Sequence, residues 1–238
     1  MTKLHLKRLA APKTWPILRK NTKWITKPSP GPHDQTMALP LSVLIKEVLT
    51  LTNTTQELRQ VIKKQAIMID GKPASSPKFP VGYLDVVSIP EQQATYRMVM
   101  DERGRLAAIT IPAAEATVKL LQVRTKTSIG KDALQIGCND GTTLRVAANT
   151  HYKIGDSVLF DLKERRVVEH LPLAAKSCCQ VLRGHHAGAL GIVSAVTGQQ
   201  VHLSVDKVEI TTDKSNCFVL GIEKPRISVA PQHKPKEA

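Results

Sequence analysis

The chain has 238 residues, 42% of them apolar, enough for more than one ordinary domain with genuine buried cores and too many for a disordered tail. Its formal net charge of +14 and isoelectric point near 9.8 project a positive field that favours polyanions, nucleic acid first and anionic membrane surface second. No apolar run approaches the roughly 20 residues of a membrane span, and Leu4 to Ala11 is interrupted by His5, Lys7 and Arg8 where a secretory signal would be apolar, so a cytoplasmic protein is expected.

Residues 1–39 read as a basic arm. Eight cations (Lys3, Lys7, Arg8, Lys13, Arg19, Lys20, Lys23 and Lys27) precede the first acid, Asp34, and five prolines lie between Pro12 and Pro32. Such a segment buries too little to fold alone but can order along a phosphate backbone. Trp15 and Trp24 each require a surface or a stacked base to cover the ring, which predicts an ordered arm that contacts nucleic acid.

A compact module is predicted over 40–92. Leu41, Leu44, Ile45, Val48 and Leu49 recur at helical spacing. Thr54-Thr55-Gln56-Glu57 forms a capping box ahead of Leu58, Val61 and Ile62, leaving Arg59, Lys63 and Lys64 on the other face of a second helix. Residues 66–73 then read as a strand entering an Asp70-Gly71 turn, with 83–89 as its returning partner and Lys72 and Lys78 beside the hairpin.

From 93 to 172 short strand-like runs separated by turns predict a β-rich domain, closed as a small barrel or folded-over sheet, with one short helix over Ala113 to Leu121 after Pro112. A last module spans 173–223. Gly184, Gly188 and Gly191 fall between two β-branched runs there, beside Arg183, His185 and His186, and suit a loop that turns sharply against a partner. Residues 224–238 form a basic tail. The whole reads as a multi-domain α+β chain.

The four cysteines, Cys138, Cys178, Cys179 and Cys217, lack a framework spacing and are expected as reduced, partly buried thiols. Cys178, Cys179, His185 and His186 do not have the spacing of a zinc knuckle, so no metal and no cofactor are expected. Nucleotide-binding, hydrolase and metalloprotease motifs are absent, which leaves no catalytic residues and no small-molecule substrate to assign. Aromatic content of only 3% favours structured, double-helical RNA over single strands, because readers of unstacked bases rely on aromatic platforms; DNA stays open on this ground.

Taken together, HLKRLAAPKTW (5–15), KPSPGPH (27–33), IDGKP (69–73), GYLDVVSI (82–89), NDGTTLR (139–145) and GDSVLFDL (155–162) resemble, nearly end to end, the family of small-subunit ribosomal protein four of the archaeal and eukaryotic type, archaeal members most. Within that resemblance, 40–92 is similar to an S-four RNA-binding module. RGHHAGALGIV (183–193) is similar to the glycine turn of a KOW module, an SH3-like β-barrel, with His185 and His186 in place of some of the family's small residues. The resemblance implies a non-catalytic constituent of the small ribosomal subunit that binds and stabilises folded ribosomal RNA, beside neighbouring small-subunit proteins and away from any membrane. It carries over Lys7, Arg8, Lys13 and Trp15 of the arm, the basic face of the second helix, and Arg183 and Gly184.

Two other readings compete. A KOW-bearing transcription or translation factor would bind transiently, and an RNA-modifying enzyme would carry an S-four module beside a G-R-L-D stretch; here Gly104-Arg105-Leu106 is followed by Ala107, so the carboxylate that chemistry needs is missing.

Overall fold

A computed structural model describes residues 5–129, 133–147, 150–205 and 208–229, which fall into two compact units. Of the described residues, the first unit holds those from 5 to 101, 105 to 116 and 228 to 229, and the second those from 102 to 104 and 117 to 227. Lys3 and most of the tail from 224 to 238 lie outside the described residues.

The first unit opens with the arm, which folds against the rest of its unit. Strands β1 (Leu6–Lys7) and β2 (Trp24–Ile25) pair antiparallel, with Lys7 opposite Trp24 and Leu6 opposite Ile25. A second short ladder joins β3 (Ala38–Pro40) to a later strand, β6 (Pro80–Gly82). The predicted first helix begins as α1 (Leu41–Val43) and widens into a π turn over Leu44–Val48, which ends before Thr50 at a φ of 52°. Helix α2 (Thr55–Lys63) has the expected capping box. The Thr54 hydroxyl accepts from the Glu57 amide at 3.2 Å, and the Glu57 carboxylate accepts from the amides of Asn53 and Thr54. Leu58 and Ile62 are buried beneath it.

The expected hairpin becomes the start of a larger sheet. Strand β4 (Met68–Ile69) pairs with β5 (Lys72–Pro73) across the Asp70-Gly71 turn and with β7 (Val86–Ile89) on its other side. Strands β8 (Ala94–Met100) and β9 (Leu106–Thr110) then extend the order to β5-β4-β7-β8-β9. The ladder therefore runs on beyond residue 92, because β8 supplies β7 with the hydrogen-bond partner it would otherwise lack.

The arm and this module are locked together around His33. Its Nε2 lies 2.9 Å from Asp85 Oδ1, Asp85 Oδ2 accepts the Gly82 amide at 2.7 Å, and His33 and Asp85 are both buried. A β-carbon on Gly82 would run into the His33 ring. Gly82→Ala should therefore lower stability by about 1–3 kcal/mol, the usual range for overpacking; a thermal midpoint equal to that of the parent chain would refute the close fit.

Residues 113–121 do not form the predicted helix. After a single 3-10 turn at Glu115–Thr117, the chain enters β10 (Val118–Ile129), a 12-residue strand. The alanines end at Ala116, and Val118, Leu120 and Leu121 are claimed by the ladder to β13 (Ser157–Asp161). A bulge between Val123 and Thr125 lets the same strand pair with β13 along its first half and with β11 (Ala133–Cys138) along its second. With β12 (Thr143–Ala147) and β14 (Val167–Leu171) the order is β12-β11-β10-β13-β14, around a core that includes Leu121, Val123, Ile136, Val158 and Phe160.

A second five-stranded sheet completes the second unit: β15 (Ser177–Val181), β16 (Leu190–Thr197), β17 (Gln200–Val205), β18 (Val208–Asp213) and β19 (Cys217–Ile222), in the order β18-β17-β16-β15-β19. The two sheets are tied by the buried Gln122 side chain, whose Nε2 donates to the Cys217 carbonyl at 2.6 Å. All four cysteines are free and buried. Burial pushes the Cys138 thiol up to about 12 and the Cys217 thiol up to about 11, which keeps both from acting as nucleophiles at neutral pH.

Candidate nucleic-acid interface

Of the arm residues singled out by charge and aromaticity, three are structural: Arg8, Trp15 and Arg19. Arg8 is 5% exposed and clamps Glu47 through two 2.8 Å bonds, from Nη1 to Oε2 and from Nη2 to Oε1, while its Nε donates to the Thr22 hydroxyl. The Glu47 carboxylate raises the Arg8 pKa, chiefly by hydrogen bonding, against a smaller effect of burial. This corrects the expectation that Arg8 meets phosphate: its fork is already filled by a carboxylate. Trp15 is 2% exposed, and its Nε1 donates to the Gln35 carbonyl at 3.2 Å, so protein rather than a base covers the ring.

Arg19 is half-buried and spends its guanidinium on the arm's own backbone, donating to the carbonyls of Ala11 at 2.9 Å and Pro12 at 2.8 Å. Lys27 is likewise half-buried. Lys7, Lys13, Lys20, Lys23 and Trp24 remain exposed and form the outward surface of the arm. The buried cations thus shape the arm, and the exposed ones leave it charged.

On α2 the exposed cations are Arg59, Lys63 and Lys64, with Arg59 and Lys63 four residues apart on one side and Leu58 and Ile62 on the buried side. Lys72 and Lys78 are exposed on the strand and loop that follow.

In the second unit Arg183, Gly184, His185 and His186 are all exposed in the turn between β15 and β16. Gly184 has φ of 99° and open space where a side chain would project, so backbone conformation alone requires glycine there. The His185 and His186 rings meet edge to face at 4.9 Å. Sequence reasoning missed one contributor. Arg124, on β10 just beside the bulge, is held below the usual guanidinium range by partial burial and then by the positive charge of Arg183. Gln122, two residues earlier, reaches Cys217, which is the ladder partner of Val181; Arg124 and Arg183 each lie two residues further along, which brings two cations to one edge of the turn. Only the alternation of Gln122 and Arg124 along one strand could have signalled this, and the expected helix over the preceding residues hid it. Among the described residues no three His, Cys, Asp or Glu side chains are placed to hold a metal ion.

An ordered arm, a basic helix face and a doubly cationic turn define an α+β binding protein whose chemistry is surface charge. Residues 2–36 match the RS4NT domain and residues 82–167 the ribosomal family S4e. The small ribosomal subunit protein eS4 of Archaeoglobus fulgidus is 38% identical over 227 residues, covering 93% of this chain and 94% of the relative. That of Pyrobaculum neutrophilum is 39% identical over 237 residues, covering 96% and 100%. The crystal structure of the 30S ribosomal protein S4e from Thermoplasma acidophilum superposes with a TM-score of 0.67 at 24% identity, covering 78% of this chain and 95% of that one, which establishes the shared fold. The chain belongs to the ribosomal S4e family, whose members are structural proteins rather than enzymes.

Proposed function

We propose that the chain is a structural constituent of the small ribosomal subunit in the cytoplasm, that it binds and stabilises folded ribosomal RNA there, and that it sits among other small-subunit proteins. The observation that carries this reading is the segregation of cations within the arm. Arg8 and Arg19 are consumed internally, while Lys7, Lys13, Lys20 and Lys23 stay exposed in a segment without a carboxylate before Asp34. Arg59, Lys63, Lys64, Lys72, Lys78 and Arg183 extend the phosphate-binding set, and Gly184, His185 and His186 offer backbone and ring donors at the turn. Residues 173–223 would act as a KOW-type SH3-like barrel, a reading supported by the five antiparallel strands within them and by bulges at Cys178/Cys179 and Val193/Ala195 that curve the sheet.

Deleting residues 2–30 would test the arm crudely, since it also removes the buried Trp15. Replacing Lys7, Lys13, Lys20 and Lys23 together by glutamine keeps the fold and removes only charge. Each phosphate left without its lysine should flatten the slope of log affinity against log salt by about 0.9, so the fourfold variant should lose up to roughly 3–4 in slope. An unchanged slope would mean these lysines are merely solvated and would overturn the arm's role.

A further inference from the structure

The two tryptophans of the arm have opposite surroundings, and the difference points to a ligand. Trp24 keeps 49% of its surface exposed and is the one aromatic among the large exposed apolar side chains of the described residues. It is not loosely held. Its ladder partner is Lys7, and the next pair, Leu6 and Ile25, alternates to the opposite face, where Ile25 is buried. The ladder is pinned by the Arg8 amide, which donates to the Lys23 carbonyl at 3.0 Å, and by the buried Arg8 guanidinium, which pairs with Glu47. The indole therefore stands outward on a fixed backbone.

Its neighbours are cationic or aromatic. Lys23 Nζ lies 5.4 Å from the indole ring centroid, within cation–π range, and the His5 ring is 5.6 Å away, tilted by 55°. Lys7 projects on the same face as the direct cross-strand partner. An exposed, immobilised π surface between two amines fits a nucleobase bounded by phosphates, because stacking covers the ring while each amine keeps a negative partner. An apolar protein surface would cover the ring only by desolvating both amines.

We propose that Trp24 is a stacking platform for an unpaired base of the bound RNA, with Lys7 and Lys23 on the adjoining phosphates. This rests on the RNA-binding reading above and goes beyond it, since that reading concerns charge contacts to the phosphates of folded RNA and no base. The arm thereby reads a single-stranded feature, a bulge or loop, that the lysines alone would not distinguish.

The test uses the full chain and tryptophan emission, with Trp15 as the buried internal reference. A short single-stranded oligoadenylate should quench the Trp24 contribution. Trp24→Leu should weaken oligoadenylate binding about 5- to 150-fold, Trp24→Phe should restore much of it, and the salt slope and urea midpoint of both should match the parent. Equal affinity for the parent and Trp24→Leu, or no quenching, overturns the proposal. If the four-lysine variant still loses its salt slope on duplex RNA in that case, the broader RNA-binding reading survives; if the chain binds neither RNA, both fall. Trp24 left unquenched by RNA yet shielded from acrylamide in purified small subunits would assign the ring to a protein neighbour and overturn the proposal as well.

Discussion

Replacing Trp15 by alanine is expected to destabilise the first unit by about 3–5 kcal/mol, the range for emptying a buried aromatic site. The ring is among the largest fully buried side chains, its Nε1 proton is spent on the Gln35 carbonyl, and the neighbouring Thr14 carbonyl accepts the Leu106 amide at 2.8 Å where β9 begins. The indole is therefore the apolar anchor of a segment otherwise rich in proline and lysine. Its removal should lower the urea midpoint, followed through the remaining Trp24 emission, and should open the arm to trypsin at Lys7, Lys13, Lys20 and Lys23. Phosphate affinity should fall in parallel, since lysines on a detached arm must be ordered on binding at an entropic cost. A midpoint shift below about 1 kcal/mol, too small for a filled aromatic site, would show that the arm is held by Arg8 and His33 alone.

Features encoded within a few residues are legible in the amino-acid sequence. The capping box at Thr54 to Glu57 and the apolar side of α2 need no distant partner, and the Asp70-Gly71 turn is written in two residues. Features decided by distant partners are not. Arg8 reads as a phosphate ligand until Glu47 is found 39 residues away, and Trp15 reads as a ring to be covered by either protein or a base until its bond to the Gln35 carbonyl decides for protein. The two tryptophans have similar local sequence, lysine and proline on either side; a two-residue ladder that places Ile25 inward is what turns Trp24 outward. The strand in place of a helix after Pro112 follows the same logic, since β13 offers Val118 to Gln122 an antiparallel partner that outweighs three alanines of helix propensity. Charge thus locates the candidate interface to within segments, and tertiary partners decide which cations within each segment remain available.

Arg97 carries the other large effect. It sits on β8 at 0% exposure, its Nη1 donating to Glu115 Oε2 at 2.8 Å and its Nη2 to the Glu115 carbonyl at 2.9 Å. Burial pulls the guanidinium below its usual range, and Glu115 opposes that. Glu115 in turn accepts the Ser228 hydroxyl at 2.9 Å and the Ser228 amide at 3.2 Å, tying the returning chain end to the same unit. Glu115→Ala takes the carboxylate from a buried cation, which costs about 3–5 kcal/mol when a buried pair is broken from one side; with the Glu115 side chain 29% exposed, water offsets part of this and the lower end is expected. Replacing the pair by Arg97→Met and Glu115→Leu should recover most of that stability, because neither charge then remains to be solvated. The pH dependence follows from the same geometry. Burial alone would raise the Glu115 pKa, but the Ser228 and Arg97 hydrogen bonds outweigh it and hold the carboxyl below its ordinary 4.5. A carboxyl depressed in the folded state contributes stability above its unfolded pKa and loses it as pH falls through the folded one. Urea midpoints of the parent chain should therefore drop below about pH 4.5 more steeply than those of Glu115→Gln; parallel curves would show that the ion pair contributes nothing to acid sensitivity.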